Sequence, residues 1–493
     1  MKRALLLIMA GLGLVVLVLA VNAWRAGAPD HAPTSRSTVE LADVDVTAVA
    51  LHLGEAIRFE TISVDEQPGA SLDALLDLHA WLESTYPTLH SVLEREIVNG
   101  ASLLYTWPGA DPNLAPVAFL AHMDVVPVDP STLDAWTHPP FAGAVEGGAV
   151  WGRGALDMKS TLVTLMEAVE LLTKAGVQPA RTVYLALGHD EEVGGPAGAA
   201  QIARLLDQRG VRLAWVLDEG GMIALDAVPG IDAPLAMIAV AEKGYLTLEI
   251  TASAEGGHSS TPGRETAVGR LAQAIVALEA APFPTSMNDT LGEMIERVGS
   301  HGPFVARLVT ANRWLFDPLI LWAISSDPVL GAMTRTTTAP TMLVASPKEN
   351  ALAQTATATV NFRVIPGETT ETVIARVREI VGDDRMEVRQ VSEPSSPSPV
   401  ASTRGESFAR LERSIAHVVP DAVVVPGLLM AGTDSHHYVD VADDLYRFAA
   451  LRIGRSDLSR FHGLDERVPV ATLGPMVQFY VDLIGSGLGA EAP

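Results

Sequence analysis

The chain has 493 residues, of which 48% are hydrophobic and 19% are charged, a balance typical of a well-packed protein with two or more domains. Its formal net charge of −25 argues against nucleic acids and anionic lipid surfaces as partners, because both attract basic patches. The sequence has no cysteine, which excludes disulfides, thiolate metal ligands and a cysteine nucleophile.

Residues 1–25 have the pattern of a signal anchor or a signal peptide. Lys2 and Arg3 precede an apolar run from Ala4 to Ala23, which is long enough to cross a bilayer and longer than the usual apolar part of a signal peptide. The small residues that end at Ala23 also suit a cleavage site. In both cases the rest of the chain is exported, so we expect a protein that is membrane-anchored, facing the outside or a periplasm, or secreted.

The next part of the chain predicts a linker and then an α/β domain. Residues 26–45 are rich in Pro, Ala, Ser and Thr, which is typical of a linker. Residues 46–240 alternate helical periodicity with nearly continuous apolar strands, such as 117–122 and 213–217. This βαβ order predicts a mainly parallel sheet with helices on both faces.

The pattern changes near residue 240. Residues 245–252 alternate apolar and polar side chains, so one face of this strand meets solvent. Residues 241–393 therefore predict a smaller α+β domain inserted into the first, and residues 394–493 resume its βα pattern. An apolar segment near 283–338 predicts either helices packed on their own domain or a surface for an apolar substrate or a membrane.

The stretch Gly188–Gly195, Gly-His-Asp-Glu-Glu-Val-Gly-Gly, organises the functional prediction. Three acids follow an apolar strand with no Lys or Arg close by in sequence. Carboxylates leaving water need a cation or hydrogen-bond donors, so a metal site is a simple interpretation and a solvated acidic turn is the alternative. Glu191 and Glu192 are expected to have different roles, because successive strand side chains point to opposite faces.

Polar residues also end the other predicted strands, and the carboxyl ends of parallel strands converge on one crevice. Two imidazoles with several carboxylates and no thiol suit zinc, or less tightly cobalt or manganese. One carboxylate bridging two ions would give five ligands, namely His122, Asp157, Glu192, Asp218 and His462. Glu191 then remains free to act as a general base, and Asp124 can orient the His122 ring.

Five motifs together resemble one enzyme family: residues 121–127, 151–159, 188–195, 217–220 and the segment around His462. The family is the two-zinc metallopeptidases that include aminoacylase, glutamate carboxypeptidase, carboxypeptidase S and succinyl-diaminopimelate desuccinylase. The resemblance implies two Zn²⁺ per chain, Asp157 as the bridging ligand and Glu191 as the base. It also implies a catalytic domain interrupted by a lid domain through which two chains form a homodimer.

The resemblance extends to residues that would bind the substrate. His258 of Gly-His-Ser-Ser matches a histidine that reaches the partner's active site and stabilises the oxyanion. Asn350 and Arg363 resemble lid residues that hold the substrate carboxylate, a role that suits the forked guanidinium of arginine. Gly432 and Thr433, in the motif Gly432-Thr433-Asp434, match the substrate loop. Exposed loop residues with only local hydrogen bonds remain the alternative for all of them.

Two positions depart from the family pattern: Met158, where relatives often have a second Asp, and Asp465, where many have Asn. The Gly-His-Asp-Glu-Glu form, the amino terminus and the apolar insertion resemble the branch of carboxypeptidase S and the secreted N-fatty-acyl-amino-acid synthase/hydrolase. We therefore expect hydrolysis, in principle reversible, of an amide or peptide bond next to an amino acid with a free carboxylate. An exported dipeptidase acting on short peptides and a non-catalytic binding scaffold are the alternatives.

Overall fold

The computed structural model describes residues 2–27, 43–64, 69, 71–228, 230–231 and 233–485. The predicted linker at 26–45 falls largely outside them. The α-helices are α1 Lys2–Ala26, α2 Val46–Ile57, α3 Leu72–Thr85, α4 Pro87–Val92, α5 Ser160–Lys174, α6 Ala199–Gln208, α7 Ala267–Ala280, α8 Asp289–Ser300, α9 Phe304–Thr310, α10 Arg313–Ile324, α11 Pro328–Ala332, α12 Thr370–Val381, α13 Glu406–Val418 and α14 Val470–Gly485. Short 3₁₀ or π turns occupy Pro130–Ala135, Ala155–Lys159, Glu191–Val193, Asp434–Tyr438 and Arg455–Arg460.

The strands form one large sheet and three smaller ones. They are β1 Glu94–Val98, β2 Ser102–Trp107, β3 Val117–His122, β4 Ala144–Glu146, β5 Ala149–Trp151, β6 Val183–Gly188, β7 Leu213–Asp218, β8 Ile223–Ala224, β9 Leu235–Glu242, β10 Gly244–Ser253, β11 Gly257–His258, β12 Thr337–Val344, β13 Ala351–Leu352, β14 Thr355–Val364, β15 Met386–Gln390, β16 Val423–Leu429, β17 Ala442–Arg447, β18 Arg452–Ile453 and β19 Arg467–Pro469.

The large sheet has ten strands in the order β1-β2-β6-β3-β7-β17-β9-β8-β18, with β16 also paired to β9. Its centre is parallel, since β3 pairs in parallel with β6 and β7, and β7 with β17. Alternate residues of β3 enter two different cores: Phe119 packs with α5 and α14, whereas Leu120 packs with α6. The predicted fold class, a mainly parallel sheet with helices on both faces, is confirmed.

The second sheet is antiparallel and has four strands in the order β12-β14-β10-β15. Side chains of β14 alternate between buried and more exposed positions along the whole strand, and the buried ones pack with α7 and α12. This is the predicted inserted α+β unit, which we call the lid. The exact domain boundaries stay predictions, although β9 of the large sheet continues to Glu242.

Helices α8–α11 form the apolar insertion, and they pack on the large sheet instead of the lid sheet. Leu291 and Met294 of α8 join a core with Val423 and Val425 of β16. The insertion, which one interpretation of the sequence packed on its own domain, therefore packs at least in part on the large sheet. Helix α1 contacts α9, and by length and composition its residues Arg3–Ala26 are sufficient to cross a membrane.

Candidate metal centre

The polar residues predicted at strand ends meet at the carboxyl edge of the large sheet. His122 is the last residue of β3, and Glu191 and Glu192 follow β6 in a short turn. Asp157 comes from the turn after β5, and His462 from the loop that precedes β19. Because β3 and β6 are parallel neighbours, His122, Glu191 and Glu192 lie at one edge of the sheet. Asp157 and His462 reach the same place from loops beside the antiparallel strands β5 and β19.

Two groups of potential ligand atoms overlap at Asp157. In the first group, His122 Nε2 lies 3.1 Å from Asp157 Oδ1 and 3.4 Å from Glu219 Oε1. In the second, His462 Nε2 lies 3.1 Å from Asp157 Oδ2 and 3.2 Å from Glu192 Oε2. Asp157 thus offers one oxygen to each group, which is the geometry of a bridging carboxylate.

The structure corrects one predicted ligand, because Glu219 and not Asp218 faces the cleft. The two oxygens of Asp218 accept hydrogen bonds from the backbone N–H groups of Glu219 and Ser435, at 2.8 and 2.7 Å. Successive side chains at the end of a strand point in opposite directions. Because the side chain of Asp218 points into the protein, that of Glu219 points into the cleft. The sequence Asp218-Glu219 contained this ligand, but its spacing alone could not say which acid faces the cleft.

The hydrogen bonds of His122 favour a cation beside its other ring nitrogen. Its Nδ1 lies 3.0 Å from the backbone oxygen of Asp124, and because a carbonyl only accepts, Nδ1 carries the proton of the neutral ring. The lone pair of Nε2 then faces oxygens of Asp157 and Glu219. Acceptors facing one another in this way need a proton or a cation between them, so these residues fit a metal ion.

The charges of the cluster agree with this fit. Burial, together with the negative charge of Asp157, raises the pKa of Glu219 to about 8. Contacts with Asp157 and Glu192 raise the pKa of His462 to about 10, and burial raises the pKa of Glu191 well above its usual value. The carboxylates therefore lack compensating positive charge, which a divalent cation in each group would supply.

Glu191 and Asp124 occupy different positions relative to the cleft. Glu191 lines it but belongs to neither group of potential ligands. Asp124 is fully buried behind the cluster, with Oδ1 3.4 Å from Nδ1 of His122. Its oxygens also accept hydrogen bonds from the backbone N–H groups of Glu191 and Glu192, both at 3.1 Å. Asp124 is therefore a positioning residue that holds His122 and the acidic turn.

A buried ion pair, which sequence analysis missed, supports the loops that carry Asp157 and His462. Arg153 Nη1 lies 2.5 Å from Glu466 Oε2, and Arg153 Nη2 donates to the backbone oxygen of His462 at 3.0 Å. The other oxygen of Glu466 accepts the N–H groups of Leu156 and Asp157. This pair ties the two loops together, so the position of one ligand depends on the other.

Of the predicted substrate residues, the structure brings only Gly432 and Thr433 to the cleft. Thr433 Oγ1 donates to Glu242 at 3.0 Å, and Glu242 pairs with the buried Arg447.

The other three predicted substrate residues lie on the lid and are not among the described residues that line the cleft. Strands β11 and β13 pair, which places His258 near Asn350, whose backbone oxygen accepts the N–H of Ser259. Arg363 of β14 stacks over the ring of Tyr245 at 4.7 Å.

Asp434, which the sequence analysis included in the substrate-loop motif with Gly432 and Thr433, is a buried acid behind the cleft. Burial raises its pKa well above the usual value, and its Oδ1 has no hydrogen-bond partner among the described residues. A side chain on Gly188 or Gly195 would collide with its carboxylate. Gly188 and Gly195, the first and last residues of the stretch 188–195, therefore leave room for the carboxylate of Asp434.

The cleft has a volume of about 380 Å³ and lies next to an apolar cavity of about 500 Å³. Met222 and Leu458 line both. The cavity lies between the large sheet and the insertion. Its apolar walls include Leu225, Val228, Leu235, Met237, Leu291, Met294, Ile295, Val298, Ala306, Ile324, Leu330 and Met333.

Comparison with known proteins identifies the family. Residues 118–486 match the peptidase family M20/M25/M40. The chain belongs to this family. The prediction of a metallopeptidase-type hydrolase acting on amide bonds is confirmed. Peptidases of this family bind metal, and the two groups around Asp157 are the candidate ligands in this member.

Several named relatives are similar in sequence to this M20 peptidase over most of its length. A probable carboxypeptidase S-like 2 of Dictyostelium discoideum is 38% identical over 92% of this chain and 87% of its own. The human N-fatty-acyl-amino acid synthase/hydrolase PM20D1 is 34% identical over 92% of this chain and 91% of its own. Carboxypeptidase S of Saccharomyces cerevisiae is 30% identical over 85% and 80%.

Solved structures support the fold. The metallo-carboxypeptidase Sso-CP2 of Sulfolobus solfataricus matches with a TM-score of 0.63 at 16% identity, covering 89% of this chain and 98% of that one. Human carnosine dipeptidase 1 matches with a TM-score of 0.62 at 14% identity, covering 90% and 97%. At these identities the likeness concerns the fold alone.

Proposed function

We propose that this M20 peptidase is an exported zinc enzyme that hydrolyses the amide bond between a long acyl group and an amino acid with a free carboxylate. The observation that carries the proposal is Asp157, which offers one oxygen to each of two ligand groups while Glu191 stands free beside them. His122, Asp157 and Glu219 would hold one Zn²⁺. Asp157, Glu192 and His462 would hold the other, with Co²⁺ or Mn²⁺ as substitutes.

When bound, the two cations would supply Lewis-acid polarisation of the scissile carbonyl. Glu191 takes the proton of the attacking water and later gives it to the leaving amine, so that one carboxylate serves as base and then as acid. Its raised pKa, caused by burial, brings the group closer to neutral pH than an exposed glutamate. Asp124 orients the His122 ring, and the Arg153–Glu466 pair positions the loops of Asp157 and His462.

The acyl group would occupy the apolar cavity behind the cleft. An amide bond placed beside Glu191 could extend its acyl chain past Met222 and Leu458 into the space under α8 and α9. A cavity with mainly apolar walls gives a hydrocarbon chain a favourable environment and offers few partners to the polar groups of a second amino acid. The names of several relatives, N-fatty-acyl-amino acid synthase/hydrolase, agree with this assignment.

The amino-acid half of the substrate would lie toward the lid. Gly432 and Thr433 already line the cleft, whereas Asn350, Arg363 and His258 would reach the substrate carboxylate and the oxyanion from the lid of either subunit.

We propose a homodimer formed through β12, the edge strand of the lid sheet. Met342, Leu343 and Val344 of this strand are exposed, and an exposed apolar edge strand readily pairs with another chain.

The part of the proposal that concerns export is supported by α1, which has the length and composition of a membrane span and is exposed along its apolar part. As an anchor, this helix would hold the enzyme on the outer side of the membrane.

The proposal is tested by steady-state assays of the full chain in detergent, loaded with Zn²⁺, on N-acyl amino acids from acetyl to oleoyl and on dipeptides. We expect kcat/KM to rise with acyl length and a chelator to abolish activity reversibly. A preference for dipeptides would indicate that short peptides, and not N-acyl amino acids, are the substrates. If the zinc-loaded chain hydrolyses neither class, the protein is a binding scaffold.

A further inference from the structure

The apolar insertion presents a second surface that is separate from the substrate cavity. On α10, the exposed residues are Trp314, Leu315, Pro318, Leu319, Trp322 and Ala323, which we call the α10 stripe. Their spacing places them along one side of the helix. The charged residues of α10, Arg313 and Asp317, pair with each other at 3.1 Å instead of joining the stripe. A helix whose exposed side is entirely apolar is unusual in contact with water.

The stripe does not face the cavity. Ile324 of α10 and Ala306 of α9 line the cavity walls, whereas none of the stripe residues does. Trp314 is 65% exposed and Trp322 is 74% exposed, so the stripe covers no other part of the described chain. An acyl chain bound inside the cavity would not cover the α10 stripe. A different partner must therefore cover this apolar surface.

Contacts between α1 and the insertion fix the place of the stripe relative to the membrane helix. Asn312, the residue before α10, donates from Nδ2 to the backbone oxygen of Leu19 at 3.1 Å and accepts from Asn22 Nδ2 at 2.8 Å. Leu19 lies seven residues before the end of α1, about 10 Å along the helix axis. The start of α10 therefore lies at the depth where a spanning helix leaves the hydrocarbon region.

Polar groups lie nearer the end of α1, in the order that a bilayer surface requires. A recess there is lined by side chains of both charges, including Arg25, Arg313 and Arg404 with Asp289, Glu293 and Glu296. Mixed charge next to an apolar surface with exposed tryptophans suits zwitterionic headgroups above acyl chains. It also suits a chain whose net charge of −25 disfavours anionic lipid.

We infer that the α10 stripe, with Phe304 and Val305 of α9, lies in the lipid leaflet through which the carboxyl-terminal end of α1 leaves the membrane. The occupant is a zwitterionic bilayer and the contact is interfacial. Exposed Phe304 and Val305 extend the apolar surface along α9, which also contacts α1. The same two helices thus wall the substrate cavity on one side and meet the lipid on the other.

The test uses the full chain in phosphatidylcholine vesicles, and the absence of cysteine from the sequence makes each added cysteine unique. Leu319→Cys and Trp322→Cys each carry an environment-sensitive fluorophore, and Val276→Cys on α7 of the lid, 64% exposed, is the matched control. Quenching is measured with spin-labelled acyl chains in the bilayer and with iodide in the water. Because α1 inserts in all three variants, only the depth of the label differs.

We expect several-fold stronger quenching by the spin-labelled lipid, and several-fold weaker quenching by iodide, at 319 and 322 than at 276. Equal iodide quenching at all three positions would overturn the inference. Protection from iodide without lipid quenching would also overturn it, by indicating that a second copy of the chain covers the stripe. Unchanged circular dichroism of each labelled variant establishes that the fold is retained, and neither outcome depends on catalysis.

Discussion

Glu219 reaches His122 across two paired strands, with its Oε1 3.4 Å from the Nε2 of the histidine. Strands β3 and β7 run in parallel side by side, so the residue after the end of β7 meets the last residue of β3. The acid one position earlier, Asp218, is bound instead to backbone N–H groups below the cleft. The two adjacent carboxylates therefore have different surroundings: Glu219 faces the candidate metal cleft, and Asp218 accepts hydrogen bonds from the backbone.

Exchanging the two acids for amides separates these roles. Glu219→Gln should weaken zinc binding by about tenfold or more, while the thermal midpoint of the metal-free chain stays level or rises, because a buried acid with a pKa of about 8 is removed. Asp218→Asn should keep zinc but lose about 1–3 kcal/mol of stability as backbone donors lose an acceptor. Metal analysis and thermal unfolding are the measurements, and zinc loss from Asp218→Asn alone would contradict the assignment.

Glu191→Gln tests the proton carrier. The variant should lose about 10²- to 10⁴-fold in kcat with its zinc content unchanged, since Glu191 belongs to neither ligand group. Glu387→Gln, at an exposed position of β15, is the control and should behave as the parent. A fully active Glu191→Gln enzyme would show that another group moves the proton.

Filling the cavity should change the choice of substrate. Ala306→Trp places an indole among the cavity walls. The value of kcat/KM for long-chain N-acyl amino acids should then fall at least about tenfold, because several methylenes of the acyl chain can no longer be buried. The value of kcat/KM for the acetyl substrate should stay the same. Ala272→Trp on the exposed side of α7 is the control. Parallel losses on long and short substrates would place the acyl chain elsewhere.

The exposed edge strand β12 of the lid sheet leads to a prediction about the oligomeric state. Leu343 is 67% exposed on β12, and Leu343→Arg should convert the dimer to monomers in sedimentation experiments, because a charge on the edge opposes pairing with a second strand. Val276→Arg on α7, an equally apolar exposed position, should leave the dimer intact. A parent protein that sediments as a monomer, or a variant that remains a dimer, would refute pairing through β12.

His79 makes stability depend on pH far from the metal centre. Burial lowers its pKa to about 4 from 6.5, so between these values the unfolded chain binds a proton that the folded chain does not. The contribution of neutral His79 to stability is therefore fully present above pH 6.5 and is lost as the pH drops toward 4, a loss of about 3 kcal/mol in total. His79→Leu should flatten that part of the curve relative to the parent and to the exposed control His301→Leu. The measurement is denaturant unfolding at several pH values, which gives the dependence of the free energy of unfolding on pH for each variant.

The sequence was sufficient for the sheet and for the part of the centre that follows directly from it. Apolar strands that run in parallel must end at one edge, so His122 and Glu192 could be grouped before any distance was known. Asp157 and His462 lie beside the antiparallel strands β5 and β19, so this rule alone does not group them with the others. The choice between Asp218 and Glu219 depends on the residue at which β7 stops, and a run of adjacent acids does not encode that position.

Other parts depended on packing between distant segments. The insertion is apolar on two sides, and composition alone could not say that one side would build a cavity with the large sheet while the α10 stripe stayed exposed. The Arg153–Glu466 pair likewise joins residues with no sequence relationship. Three lid residues, His258, Asn350 and Arg363, stay predictions, because within the described part of this one chain they do not line the cleft.

The Arg153–Glu466 ion pair also bears on the order in which the parts of the site can come together. Its two residues are separated by 313 positions, and a polypeptide emerges from the ribosome amino terminus first. Every upstream strand can form while the loop that supplies His462 is still being synthesised. The candidate ligand His462 can therefore join the other ligand side chains only late in synthesis, once Glu466 has emerged to pair with Arg153.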